Sequence, residues 1–269
     1  MARPDSEGDC GMPMKSLIGA LALMLAATTF TVPATPARAE TFVGSNIDSR
    51  VIVGLNTSAQ GVQAMMPDGW TSIAFPGGPL KGANMLFVLV DGVIDMDAEG
   101  NPLDPASRRA LALVGLARQD DGDEVRLYVL RLLTTTPERD PYGVSFAADI
   151  ARTKSLSGPA NGARISADEW RISPADGGEI VFTLNYTTGK RSWAPAELFP
   201  YSAANPDFSR IYRYDQMVDL VVSTAVGKPA SGDFSLTGTA PGLAAVLDGS
   251  PEIIAIMDVP VYVRKIFLP

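Results

Sequence analysis

Histidine is absent from all 269 residues, and the single cysteine, Cys10, stands ahead of a segment with the marks of a cleaved export leader. Past that leader the chain has no imidazole and no thiol. These absences exclude the Ser-His-Asp triad, the cysteine nucleophile and any zinc or haem site built on His or Cys ligands. Bases are outnumbered by acids, 22 to 30, for a net charge of −8. Charges of both signs are scattered, which argues against nucleic acid and anionic membrane as partners. Chemistry is left to lysine, carboxylate, tyrosine, serine and arginine.

The leader is read from three adjoining features. Met14-Lys15 supplies a short positive start, Leu17 to Phe30 is apolar or small, and Ala37-Arg38-Ala39 is a small-x-small cleavage site before Glu40. The core from Leu17 to Ala27 is shorter than the roughly 20 apolar residues a helix needs to cross a bilayer. We therefore expect residues 1–39 to be an N-terminal extension and secretory signal peptide. A periplasmic or secreted location follows, with no membrane attachment after cleavage. Residues 40–269 are then expected as a single domain, large enough to bury its own core and stabilised by packing instead of disulfides.

Hydrophobic runs of strand length recur between turn signals. They predict strands at Val51–Leu55, Thr71–Phe75, Ala83–Ile94, Arg109–Arg118, Glu124–Thr134, Arg164–Ile172, Glu179–Tyr186, Met217–Thr224, Asp233–Thr237 and Ile253–Phe267. Helices are expected only at Ser58–Met65, Tyr142–Ala151, Ala194–Ala204 and Gly242–Leu247. In Glu124–Leu132, alternation places Val125, Leu127, Val129 and Arg131 on one face and Arg126, Tyr128, Leu130 and Leu132 on the other. Both faces are partly apolar, as in a closed barrel or covered sheet.

Three stretches resemble the acetoacetate decarboxylase superfamily. Gln63-Ala64-Met65-Met66-Pro67-Asp68-Gly69-Trp70 is similar to its short helix ending in a Leu-Pro-x-Gly turn, and Asn84 to Val93 to its cavity strand. Pro241-Gly242-Leu243-Ala244 followed by Ile253 to Phe267 resembles its closing turn and last strand. The resemblance implies a mainly β (α+β) fold: an antiparallel, partly closed, cone-shaped β-barrel with a few short helices. It also implies a lyase acting on a β-keto acid through a lysine imine. The family's Gly-[Phe/Tyr]-Pro-Lys-Lys turn is not found; the corresponding stretch, Asp140 to Lys154, holds one lysine. By this resemblance Lys154 is the candidate imine former and Asp91 stands on the cavity strand where the family has glutamate.

An imine-forming lysine must be neutral near pH 7, which requires burial or a neighbouring cation. Arg152, two residues from Lys154, would lower its pKa; the bland alternative is a solvated helix end. Lys81, Lys190 and Lys228 read as loop residues, and Lys265 interrupts the last apolar strand. In the densest aromatic and basic stretch, Arg210, Tyr212 and Tyr214 alternate, so one strand face would present a guanidinium and two phenols to a carboxylate; Arg213 is a further candidate to hold it. The opposing reading makes the tyrosines a core rim.

No cofactor is expected. Gly189-Lys190 lacks the preceding glycine of a P-loop, and Asp95-x-Asp97-x-Glu99-Gly100 matches half an EF-hand loop but reads better as a hairpin turn, with Ala106 where the bidentate glutamate belongs. The expected partner is a small-molecule ligand, an organic acid. A non-catalytic periplasmic binding protein using the same cavity is the alternative, favoured by an apolar lining and no reactive lysine. A structural envelope β-barrel protein is favoured if there is no cavity.

Overall fold

Alternation of inward and outward side chains governs most of this chain, and the strands it builds are long. The structure, a computed structural model, describes residues 39–249 and 251–269. The expected leader lies outside the described residues except for Ala39. From the N-terminus the strands are β1 (Thr41–Asn56), β2 (Trp70–Ile73), β3 (Met85–Met96), β4 (Arg108–Gln119), β5 (Val125–Thr134) and β6 (Ser145–Ser157). There follow β7 (Ile165–Pro174), β8 (Ile180–Thr187), β9 (Ser192–Leu198), β10 (Pro200–Ser202), β11 (Ile211–Ser223), β12 (Gly232–Gly238) and β13 (Glu252–Leu268). Two short helices, α1 (Ala59–Gln63) and α2 (Ala244–Leu247), complete a mainly β chain.

One sheet runs in the order β12-β8-β7-β6-β5-β4-β3-β1-β13-β11-β9. It is mixed: most pairs are antiparallel, as expected, but β5 pairs in parallel with both β6 and β10, and the antiparallel expectation is corrected there. Its hydrogen-bonded order ends at β12 and β9 and does not close. The chain itself bridges part of the gap, because β9 beside β11 is followed across Phe199 by β10 beside β5.

The two faces of the central strands do different work. Val51, Val53 and Leu55 of β1, Phe87 and Leu89 of β3 and Leu111 and Leu113 of β4 share one core with Trp170 of β7 and Phe182 of β8. Burying a side chain of this size stabilises by about 1.5–3 kcal/mol, so this core dominates the fold's stability. The intervening residues, such as Ile52, Val88 and Ala112, point the other way and line a cavity.

In β5 the register slips at Leu130: Arg131 pairs with Leu113 but Val129 pairs with Val114. This bulge reverses the alternation beyond it. Leu132, expected on the face of Tyr128, joins Val129 on the cavity side, and Leu133 joins Tyr128 in the core.

Two expected helices are strands. Tyr142–Ala151 largely falls in β6, where Ala148 and Ile150 enter the core and ten residue pairs tie the strand to β7; tertiary pairing overrides the helix propensity of its alanines. Ala194–Ala204 is divided between β9 and β10. Strand β1 starts well before Val51, at Thr41. The helix expected at Ser58 is present, with the Ser58 hydroxyl accepting from the Gly61 amide at 3.1 Å. The Asp95–Gly100 segment is a hairpin turn, its Asp97 carboxylate accepting from the Glu99 and Asn101 amides. Trp170 is fully buried in the core, whereas Trp193 is 54% exposed on β9.

Candidate functional site

The cavity measures about 730 Å³, within the range of small-molecule sites. Its walls are the alternate residues of β1, β3, β4, β5, β11 and β13. At one end the lining is apolar: Leu86 and Val114 pack with Phe75 and Leu80. Gly54 makes room there, since a Cβ at that position would lie 2.7 Å from Leu80 Cδ2.

The other end is cationic. Five arginines and three carboxylates line the cavity of a chain whose net charge is −8, and none of the lining residues is a lysine. Arg50 is neutralised by buried Asp48, its Nε and Nη2 donating to the two carboxylate oxygens at 2.8 and 2.6 Å. Arg108 and Arg139 share Asp95. Two guanidinium groups differ. Arg210 has its Nε buried without a hydrogen-bond partner, and it makes no ion pair among the described residues. Arg264 donates its Nε to Asn46 Oδ1 at 2.7 Å and stacks over the Tyr212 ring at 4.0 Å, again with no carboxylate partner among the described residues.

Phenols complete this end. The hydroxyls of Tyr142 and Tyr212 hydrogen-bond to each other. Burial, then the adjacent Tyr212, pushes the Tyr142 phenol well above its usual range, so it stays protonated and able to donate. Tyr262 is pushed up to about 12 by burial, against the opposing pull of Arg50 and Arg264. The arrangement suits an anion: uncompensated guanidinium charge with neutral O–H donors, and of these groups Arg264, Tyr142 and Tyr262 are buried. A second cavity of about 330 Å³, beside Thr134, Asp149 and Ser173, has a carboxylate but no cation.

The residues singled out in the sequence divide among three places. Arg210 and Tyr212 line the cavity, with Tyr214. Arg213 does not: its neighbours on the strand face inward, and it pairs at the surface with Glu40 and Glu197. Asp91, Arg152 and Lys154 lie on the opposite face of the sheet from the cavity, because Ser49, Asp91 and Asp258 alternate with Arg50, Val90 and Met257. There Arg152 bridges Asp168 and Asp91, and Lys154 Nζ lies 2.9 Å from Asp258 and 3.6 Å from Asp168. Both aspartates are nearly fully buried, so the Lys154 ammonium is committed as their counter-ion on this face. Lys154 lies within strand β6, not at a helix end, and on the other face of the sheet from the cavity that Arg210 lines. Arg50 and Arg264 escaped notice in the sequence. The usable signal was Asn46-x-Asp48-x-Arg50, three polar residues on one strand face, which is readable only once β1 is extended to Thr41.

No protein-family profile and no curated protein sequence matches the chain. Solved structures do. The enduracididine biosynthesis enzyme MppR with HEPES buffer bound aligns over 93% of this chain and 97% of its own, with a TM-score of 0.53 at 11% identity. The same enzyme complexed with pyruvate aligns over 88% and 94%, with a TM-score of 0.53 and 11% identity. An acetoacetate decarboxylase-like enzyme from Sphingomonas wittichii RW1 aligns over 84% and 91%, with a TM-score of 0.51 at 12% identity. The fold is acetoacetate decarboxylase-like. Identity this low carries the fold alone. Within this decarboxylase-like fold, the cavity chemistry is set by arginines and tyrosines.

Proposed function

We propose that this chain is an exported, acetoacetate decarboxylase-like binding protein that holds a small organic anion in the cavity ringed by β5, β4, β3, β1, β13, β11 and β9, a partly closed barrel completed by the crossing from β9 to β10. The observation that carries this reading is Arg210, a cavity-lining guanidinium with a buried, unpartnered Nε and no carboxylate beside it among the described residues. A buried donor left unsatisfied costs about 1–3 kcal/mol, and a bound carboxylate removes that cost with a charge-assisted bond. Arg264 and the Tyr142–Tyr212 pair supply further donors.

The second reading, a lyase acting on a β-keto acid, draws on the likeness to enzymes of this fold, one described as complexed with pyruvate. Its lysine imine would need a lysine in the cavity, and Lys154 is engaged with Asp258 on the other face. A purely structural role sits poorly with an interior of about 730 Å³.

Calorimetry with pyruvate, acetoacetate and butyrate tests the binding reading. Saturable binding that weakens at least tenfold in Arg210→Met, with no loss of the carboxylate from acetoacetate, is expected. Absence of binding by every acid, or binding indifferent to Arg210→Met and Arg264→Met alike, overturns it.

A further inference from the structure

The cavity is not uniformly polar, and its gradient specifies more than an anion. Along β4 the lining residues are Arg108, Ala110, Ala112 and Val114, one side of a single strand. Six residues of strand at about 3.4 Å each separate the ends by about 20 Å. The charged end lies at the level of Arg264, whose partner across β1 is Asn46. The far end is closed by the apolar cluster that includes Leu80, Leu86 and Val114. Between them Ala110 clusters with Tyr142, and Ala112 packs against both that cluster and the apolar one, so the β4 lining there is a slot of small side chains that nothing polar on β4 interrupts.

We infer that the ligand is an amphiphilic carboxylate with an unbranched alkyl chain of medium length, its head on Arg210 and Arg264 and its tail along the Ala110–Ala112 slot toward Leu86 and Val114. A three- or four-carbon keto acid would occupy the charged end alone and leave the slot unfilled. The inference rests on the anion-binding reading above and extends it to the chain attached to the anion. Each methylene moved from water into the slot contributes about 0.8 kcal/mol, a tightening of about fourfold.

The test is calorimetry on the purified chain with butyrate, hexanoate, octanoate and decanoate, all below micelle formation, and with 1-octanol and octylamine. Affinity is expected to rise about fourfold per methylene up to at least octanoate. The alcohol and the amine should bind at least tenfold more weakly than octanoate. In Ala112→Phe, which fills the slot midway, the gain in affinity from butyrate to decanoate should shrink at least tenfold. Circular dichroism shows whether that variant is folded, and the chain-length series on the unaltered protein stands without it. Equal affinity for butyrate and decanoate overturns the amphiphile while leaving the anion reading intact. Octanol binding as tightly as octanoate, or no binding by any acid, overturns the anion reading and the inference with it.

Discussion

The guanidinium carbon of Arg50 lies 3.3 Å from the centre of the Tyr262 ring, and Tyr214 stacks against Tyr262 at 4.7 Å. The cation is thereby held between Asp48 and an aromatic face, and the phenol beneath it is buried. Contacts of this kind contribute about 0.5–2 kcal/mol when desolvated.

Tyr262 gives this corner of the cavity a pH dependence. Burial raises its phenol to about 12 in the folded protein, whereas an unfolded tyrosine titrates near about 10. Between those values the unfolded chain has released a proton that the folded chain keeps, so stability falls as pH rises from about 10 to about 12, by on the order of 2–3 kcal/mol. Tyr262→Phe removes that component. Denaturant midpoints at pH 8 and pH 12 check it: the stability difference between the two proteins should shift in favour of the variant at the higher pH, and a difference that does not move rules out this titration.

Asp48 is the counter-ion of a buried arginine, and its side chain is fully shielded from solvent. Asp48→Ala leaves Arg50 unpaired and removes an acceptor from Asn46, which in turn holds Arg264. The expected cost is about 3–5 kcal/mol, the usual penalty for breaking a buried pair from one side. Asp48→Ala with Arg50→Met together should recover a substantial part of it, which chemical denaturation of the two variants measures.

Gly61 lies inside α1, where Gly→Ala ordinarily stabilises a helix by up to about 1 kcal/mol. Here a Cβ would lie 2.1 Å from the Ala245 carbonyl oxygen of α2. The sign should therefore reverse, with Gly61→Ala destabilising by about 1–3 kcal/mol. A raised thermal midpoint in this variant would show that the two helices separate easily.

Lys154 serves the packing of β6 against β13. Lys154→Met leaves buried Asp258 with Tyr186 as its hydroxyl donor, at an expected cost of about 1–3 kcal/mol. Anion affinity in the cavity should change less than twofold. Borohydride reduction in the presence of acetoacetate should leave Lys154 unlabelled by mass spectrometry; a stoichiometric adduct there would restore the imine chemistry.

The sequence by itself determined the strand-rich character, because period-two patterning and turn residues are local, and it excluded imidazole chemistry, because the absence of histidine is independent of fold. It also marked the Arg210–Tyr212–Tyr214 alternation, a property of one strand face. Tertiary structure decided the rest. Alanine-rich β6 became a strand through pairing with β7, and one extra residue at Leu130 turned Leu132 toward the cavity. Lys154 and Arg210 were separated by the sheet itself, since which side a residue faces depends on registers and bulges summed along each strand. Arg264 joins Asn46 across 218 positions of sequence, and no local pattern encodes a meeting of side chains that only long-range strand pairing brings about.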